Sequence, residues 1–208
     1  KTIFFQEGLL RLQDEAAQLI SRLVGPQKGA IVLDACSGTG GKTTHLAAMM
    51  SNDGLIMALD HDLGKITQLK KEAARMGVSI IEPVQADLKH RLPVEYSRRF
   101  DHVLVDAPCS GTGTLRRNPE IKWRLRASDL DEFTKNQKFI LHHSSDAVKK
   151  GGHLIYSTCS VLSCENEEVI GHFLKSHPDF SVIHPLTGFF EPLMDSRGFL
   201  RTYPHRHS

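Results

Sequence analysis

Residues 30–44 read AIVLDACSGTGGKTT, and this stretch decides the fold. The apolar run over residues 30–33 predicts a short buried strand, and the pattern over residues 42–50 predicts a helix. Between them lie an acid, Asp34, and a loop with three glycines. Glycine lets a backbone approach a ligand closely, and the N–H groups that open a helix face the loop before it. The stretch therefore predicts a strand, a ligand-binding loop and a helix in succession.

Strand and helix patterns alternate through the rest of the chain. Further strands are predicted at residues 55–59, 79–84, 102–105 and 153–157, with a later one at 181–183. Helices are predicted at residues 9–23, 63–76, 129–149 and 165–176, and Gly25-Pro26 ends the first. Such alternation favours an α/β fold whose largely parallel sheet carries helices on both faces, here as one domain over residues 1–208. Ligands of such sheets bind beyond the carboxyl ends of the strands.

Composition restricts the class of protein. The 208 residues are 40% hydrophobic, enough for one sizeable core, and the net charge of +2 does not by itself identify a partner. No apolar run approaches the roughly 18 residues of a membrane span, so no membrane partner is expected. The four cysteines show no CxxC spacing, so we expect no metal and a reducing, cytoplasmic setting. Because the chain starts at Lys1, we expect it to be a fragment of a longer protein.

Three ligands compete for the glycine loop. An ATP-type phosphate loop needs a glycine where Cys36 stands, and a dinucleotide loop needs one where Thr43 stands. S-adenosylmethionine fits better, since Asp34 and the loop would hold its amino-acid part, Asp60 its ribose and Asp87 its adenine amine. The last two acids follow the second and third predicted strands, which strengthens this interpretation. The alternative for the loop alone is a tight turn without a ligand.

Two cysteines also follow predicted strands. Cys109 lies in the stretch VLVDAPCSGTG, and Cys159 lies in the stretch LIYSTCS. Because the carboxyl ends of parallel strands share one edge of a sheet, two potential nucleophiles are expected there. The residues alone leave the two roles interchangeable, and thiol redox chemistry remains a rival. Cys36 and Cys164 are expected to be small buried hydrophobic residues.

The segment RRNPEIKWRLR, residues 116–126, holds five basic residues, one acid and the only tryptophan. Such a cluster can neutralise phosphates, so we predict an RNA contact directly after the Cys109 loop. Trp123 is expected in the hydrophobic core, with stacking on a base as the alternative. His205 and His207 resemble a metal pair, but RNA contact or a structural role is favoured over zinc.

With these motifs, the chain resembles the RNA cytosine-C5 methyltransferases of the RsmB/NSUN type from about residue 13 to residue 208. The resemblance rests on DAC at 34–36 with GGKT at 40–43, DAPCSG at 106–111, STCS at 157–160 with ENE at 165–167, and RTYPHRH at 201–207. It implies a Rossmann-like, S-adenosylmethionine-dependent fold. Where the family commonly has Ala-Ala-Pro, this chain has Ser37-Gly38-Thr39, which should alter local rigidity and affinity but not the class. The family's usual preceding RNA-binding domain and final strand are not in the chain, in keeping with the expected fragment.

The resemblance also implies the site residues. Those it places beside the cofactor are Cys36, Ser37, Gly38, Thr39, Gly40, Gly41, Lys42, Asp60, Asp87 and Asp106, to which the strand-end argument above adds Asp34. Cys159 would attack C6 of the cytosine, and Cys109 would assist release of the product. Asp106, if protonated, would hydrogen-bond the cytosine N3 and amine. The charge of Lys42 would lower the pKa of a nearby thiol, with a purely structural role as the alternative.

The partner implied by this chemistry is RNA, either ribosomal or transfer RNA, without an obligate protein partner. The target base must be unstacked, so a single-stranded or loop region, or a flipped nucleotide, is expected. Two other classes stay open at this point. An NAD-dependent oxidoreductase could use the same fold and Asp60, but it gives two cysteines no role. A non-catalytic RNA-binding module would have no chemical reason to keep both cysteines, Cys109 and Cys159.

Overall fold

The computed structural model describes residues 2–184 and 188–203, which divide into two compact units. The first unit runs to Pro108 and resumes at Phe139–Ser157. The second unit comprises Cys109–Lys138 and the described residues from Thr158 onward. That residues 1–208 form one catalytic domain stays a prediction.

The first unit is built on a five-stranded sheet in which all strands are parallel, as the sequence predicts. The strands are β1 (Ile31–Asp34), β2 (Leu55–Asp60), β3 (Ile81–Gln85), β4 (Phe100–Asp106) and β5 (Val148–Ser157). Their order across the sheet is β3-β2-β1-β4-β5. The strand order therefore reverses between β1 and β4, and a crevice at such a reversal is where open α/β sheets bind ligands.

The helices of this unit follow from local capping signals. They are α1 (Ile3–Gln6), α2 (Glu15–Val24), α3 (Gly41–Met49), α4 (Leu63–Arg75) and the end of a longer helix, α6 (Ala127–Ser145). The Asp14 side chain accepts from the N–H of Ala16 at the start of α2, and Gly25 ends that helix with a φ of 56°. The predicted helix at residues 9–23 therefore starts late, and the side chain of Leu12 is 84% exposed.

The core of the first unit surrounds its central strands. Val32, Leu33, Ile56 and Leu104 are fully buried. Continuous apolar strands of this kind need cover on both faces of the sheet. Helices α2, α3 and α4 contact strands of the sheet, and the connections between parallel strands in this class of fold place helices on both faces. The predicted fold class, a parallel sheet between helices, is confirmed.

Two strand predictions need correction. β5 begins at Val148 rather than at residue 153, with a register irregularity opposite Phe100 and His102. At this irregularity a Cβ on Gly152 would lie 2.9 Å from the carbonyl oxygen of Asp101, so only glycine fits without displacement. The predicted strand at 181–183 is wrong, because that segment pairs with no described strand and Ile183 is exposed.

The second unit contains little regular structure. Its helices are α5 (Ile121–Arg124), the start of α6, and α7 (Glu167–Ser176). Glu167, in the first turn of α7, pairs with both Arg197 and Arg201. Arg201 Nε also donates to Asp195 Oδ2 at 3.0 Å. These ion pairs tie the segment around residues 195–201 to the start of α7. Within the part of the chain that the structure describes, no helix is both long and apolar enough to cross a membrane.

Candidate active site

The glycine loop joins β1 to α3 in the first unit. Gly38 and Gly40 have φ values of 54° and 87°, the left-handed region that glycine adopts without strain. A Cβ on Gly40 would lie 2.2 Å from Cδ1 of Leu69, whereas a Cβ on Gly38 would meet nothing within 4 Å. The N–H of Ser37 donates to the Leu59 carbonyl at 2.8 Å, which fastens the loop to β2. The loop is thus rigidly held on one side and open beside Gly38.

Asp34 ends β1 and is only 1% exposed. Thr43 Oγ1 donates to its Oδ2 at 2.7 Å, but no described donor reaches its Oδ1. Burial raises the pKa of Asp34 to about 6, with the Asp106 charge adding to the rise and the Thr43 hydrogen bond opposing it. A cation beside Oδ1 would favour the ionised form. This carboxyl group therefore fits the ammonium of an amino-acid ligand.

Asp60 fastens the glycine loop from the end of β2. Its Oδ2 accepts from the N–H of Gly38 at 3.0 Å, and its Oδ1 accepts from the N–H of Asp62 at 2.9 Å. Each carboxylate oxygen has a second lone pair, so a ribose hydroxyl could still donate to it. Asp87 is exposed just beyond β3, and its Oδ1 accepts from the N–H of Lys89 at 2.9 Å. Acids thus follow three neighbouring strands, as the sequence predicts.

Lys42 and Asp106 form a direct ion pair, with 2.5 Å between Nζ and Oδ2. Ser157 Oγ donates to the other oxygen of Asp106 at 2.7 Å. Both oxygens of Asp106 therefore accept hydrogen bonds from protein donors. Its hydrogen bonds to a cytosine stay a prediction. The ammonium of Lys42 is engaged by Asp106. The Cys36 thiol of this unit has a pKa well above its usual value, chiefly because of burial and then of Asp34.

Arg11 lies beside the glycine loop and was not predicted from the sequence. Arg11 Nη2 donates to the carbonyl of Thr39 at 3.2 Å and lies 3.8 Å from the position of a Cβ on Gly41. The Arg11 guanidinium also lies 3.6 Å from Glu72 on α4. Its only sequence signal is a charged residue within an otherwise apolar run ahead of Asp14.

The second unit brings Cys109 and Cys159 together, with 3.2 Å between their sulfur atoms. The N–H of Gly113 donates to the Cys159 carbonyl at 2.9 Å, and a Cβ on Gly113 would lie 2.8 Å from that oxygen. The hydrogen bond to Cys159 is the largest cause of a raised pKa for Cys109, followed by burial. Either sulfur atom can be the donor in this contact.

A buried acid lies behind the thiols. Glu165 is fully buried, and it accepts from the Ser110 backbone N–H at 2.8 Å and from the Ser110 hydroxyl. Its neighbour Asn166 bonds Thr158 Oγ1 at 2.7 Å. The sequence showed both residues only as part of the ENE motif and assigned them no role.

The prediction that Trp123 lies in the core is wrong, because its side chain is 85% exposed. α5 is a single turn, and residues two apart on a helix point to different sides. Ile121 is the residue that turns inward, near Gly111, which leaves Trp123 in solvent. The five basic residues of the segment 116–126 are also exposed. His205 and His207 lie outside the described residues.

Comparison with known proteins places this architecture in a class and then in a family. The fold is that of the Rossmann-like methyltransferases: the chain superposes on NSun6 from Pyrococcus horikoshii, solved with SFG, with a TM-score of 0.85 at 23% identity, covering 100% of this chain and 52% of that one. The family model described as 16S rRNA methyltransferase RsmB/F matches residues 21–208. The chain belongs to that family, and the resemblance seen in its motifs is confirmed.

Two further relatives are more similar in sequence. The probable ribosomal RNA small subunit methyltransferase B of Bacillus subtilis is 41% identical over 179 residues, which is 86% of this chain and 40% of that protein. The crystal structure of PH0851 superposes with a TM-score of 0.93 at 39% identity, covering 99% of this chain and 46% of that one. The chain therefore spans less than half the length of either relative.

Proposed function

We propose that this chain is the catalytic part of an S-adenosylmethionine-dependent enzyme that methylates C5 of a cytosine in RNA, with ribosomal RNA as the expected substrate. Family membership supports methyl transfer to RNA. The observation that carries the finer proposal is the pair of thiols, whose sulfur atoms are 3.2 Å apart. Methylation of C5 through a covalent intermediate gives each thiol a role, one as the nucleophile and the other in release of the product. A cytoplasmic setting, where thiols stay reduced, belongs to the same proposal.

Residues of the first unit would hold the cofactor. Asp34 Oδ1, which is buried and has no described donor, would face the ammonium, and Asp60 would accept from the ribose hydroxyls. Asp87, exposed beyond β3, would accept from the adenine amine. When bound, S-adenosylmethionine supplies an electrophilic methyl group for C5. The open space beside Gly38 is compatible with a ligand at this loop.

The thiols would carry the covalent steps. The Cys159 thiolate adds to C6 of the cytosine and forms a C–S bond, which turns C5 into a nucleophile. After methylation C5 loses its proton to a base, the C5–C6 double bond forms again, and Cys159 leaves as a thiolate. Cys109 assists this elimination. Asp106 would hydrogen-bond the cytosine, accepting from its amine and, if protonated, donating to N3.

The exposed basic segment would contact the RNA. Arg116, Arg117, Lys122, Arg124 and Arg126 surround a tryptophan whose ring is open to solvent. Cations of this kind neutralise phosphates, and an exposed indole stacks on an unpaired base. The correction to Trp123 therefore strengthens the prediction of an RNA contact.

The test is transfer of a labelled methyl group from S-adenosylmethionine to unmodified ribosomal RNA by the full-length protein. We expect label in 5-methylcytosine. Cys109→Ala should accumulate a covalent RNA–protein adduct that survives denaturing electrophoresis, while Cys159→Ala should lose both adduct and product. Absence of label in cytosine despite RNA binding would overturn the proposal, and the reverse adduct pattern would exchange the two roles. Stabilisation of the protein by NAD rather than by S-adenosylhomocysteine would instead favour the oxidoreductase.

A further inference from the structure

We propose that Glu165 and Asn166, adjacent residues just before α7, are two separate positioning residues, one for each thiol. Glu165 holds the loop that carries Cys109, and Asn166 holds the loop that carries Cys159. The inference rests on the proposed function, because it assigns each residue to the step of the thiol that it holds. It predicts that neighbouring substitutions slow different steps of one reaction.

Glu165 is bound to the Cys109 loop through Ser110. Its Oε1 accepts from the Ser110 N–H at 2.8 Å and from Gln137 Nε2 at 3.0 Å, and its Oε2 accepts from the Ser110 hydroxyl. A buried carboxylate is costly without donors, and three donors here compensate it. Since Glu165 is fully buried, it acts on the reaction through Ser110 and not by touching RNA.

Asn166 is bound to the Cys159 loop on both sides of the thiol. Its Oδ1 accepts from Thr158 Oγ1 at 2.7 Å, and its Nδ2 donates to the carbonyls of Ser160 at 3.0 Å and Leu162 at 2.8 Å. Thr158 and Ser160 are the two neighbours of Cys159 in the chain. An amide side chain suits this place, because it accepts from one group and donates to the others.

The two loops also contact each other through hydroxyl groups. Thr112 Oγ1 and Ser160 Oγ are 3.0 Å apart, and the N–H of Val161 donates to Thr112 Oγ1 at 3.1 Å. The sulfur-to-sulfur distance of 3.2 Å therefore depends on both loops being held. Loosening one side should displace one thiol while the other keeps its anchors.

The experiment compares Glu165→Gln with Asn166→Asp in single-turnover reactions of the full-length protein. Glu165→Gln keeps an amide oxygen for the Ser110 N–H but cannot accept from the Ser110 hydroxyl. We expect adduct to accumulate and its breakdown to slow by about tenfold, as when Cys109 is removed. Asn166→Asp places a carboxylate beside two carbonyl oxygens. We expect slower adduct formation by about tenfold or more, with no accumulation.

The matched control is Glu168→Gln, the same chemical change three residues from Glu165. Glu168 is exposed and accepts from Ser163 Oγ at 2.9 Å, so both rates should equal those of the wild type. A second measurement needs neither RNA nor cofactor: the pH dependence of alkylation of each cysteine by iodoacetamide, mapped by mass spectrometry. Glu165→Gln should shift the Cys109 profile to lower pH, because its hydrogen bond to Cys159 weakens.

The outcomes separate the inference from the proposed function. If the wild type forms no adduct and no product, the proposed function fails, and the alkylation profiles still test the loops. If the wild type is active and both variants slow the same step equally, or neither changes it, the two-anchor inference is overturned. Thermal unfolding of each variant checks folding, and a Cys109 profile unchanged in folded Glu165→Gln also counts against the inference.

Discussion

Asp34 and Glu165 are both buried acids, at 1% and 0% exposure, yet their surroundings differ in kind. Asp34, in the first unit, has Thr43 as side-chain donor, no described donor at Oδ1, and a pKa raised to about 6. Glu165, in the second unit, accepts from three donors. An acid left incompletely paired is prepared for a ligand, whereas an acid fully supplied with donors holds the protein chain itself.

The same contrast extends to the loops around these acids. The glycine loop owes its shape to backbone conformation at Gly38 and Gly40 and to bonds with strand ends. The thiol loops owe theirs to side-chain hydrogen bonds from Glu165 and Asn166. Substitutions in the first region should therefore change ligand binding, and those in the second should change thiol chemistry.

The largest expected effect belongs to Asp34→Asn. The folded state keeps the Asp34 proton up to about pH 6, while the unfolded chain releases it near 3.8. A raised pKa of an acid makes stability fall as pH rises between those values, so the wild type should lose about 3 kcal/mol by pH 7 relative to Asp34→Asn. Urea unfolding of both proteins from pH 4 to 7 measures this difference.

Ligand binding provides the opposite readout for the same variant. Because Asn cannot pair with an ammonium, Asp34→Asn should bind S-adenosylhomocysteine at least about tenfold more weakly, which corresponds to about 1.4 kcal/mol. A variant that is neither more stable at pH 7 nor weaker in binding would show that Asp34 is not an incompletely paired acid.

Two glycine substitutions should distinguish the glycine loop from the thiol loops by their different effects. Gly40→Ala forces a φ of 87° on alanine and a clash with Leu69, so we expect a loss of about 1–2 kcal/mol and weaker cofactor binding. Gly113→Ala meets the Cys159 carbonyl and should change thiol alkylation instead. Calorimetry with S-adenosylhomocysteine and alkylation mapping measure the two effects.

Gly171→Ala is the control for both substitutions. It lies inside α7 with open space around the added methyl group, and it should stabilise the protein by up to about 1 kcal/mol. If Gly40→Ala altered the thiols, or Gly113→Ala altered cofactor binding, the division between the two regions would be lost.

A smaller effect is expected at Cys109 when its partner is removed. In Cys159→Ser the thiol hydrogen bond that is the largest cause of the raised pKa is weakened, although burial remains. The pKa of Cys109 should therefore fall toward its usual value, and alkylation at a fixed alkaline pH should become faster. An unchanged profile would mean that burial alone sets it.

The smallest change in stability is expected for Trp123→Ala. A side chain that is 85% exposed contributes little to folding, so the free energy of unfolding should change by less than about 0.5 kcal/mol. RNA affinity should nevertheless fall by about 1–3 kcal/mol if the indole stacks on a base. Trp123→Phe, which keeps an aromatic face, should retain most of the affinity in a filter-binding titration.

Patterns within a short stretch of chain were predictable. The strand ends at Asp34, Asp60 and Asp106 follow from apolar runs, and the left-handed glycines follow from the loop composition. The boundaries of helices and strands were less predictable. α2 begins only where Asp14 caps it, and β5 begins early because Gly152 permits a close approach to β4. The position of Trp123 depended on whether it or Ile121 faces inward, which composition does not reveal.

The sequence by itself determined the parallel sheet, the acids at its strand ends and the two cysteines that follow strands, because periodicity and turn chemistry are local properties. Only the tertiary structure decided the 3.2 Å between Cys109 and Cys159, the incomplete pairing of Asp34 and the anchoring of the thiol loops by Glu165 and Asn166. The thiol pair and the Ser110–Glu165 bonds join residues 50 and 55 positions apart, and even the bond from Thr158 to Asn166, eight positions apart, depends on how the chain turns between them. Tertiary contacts determine how deeply an acid is buried and how many donors reach it. Those two quantities distinguish an acid suited to binding a ligand from one that holds a loop.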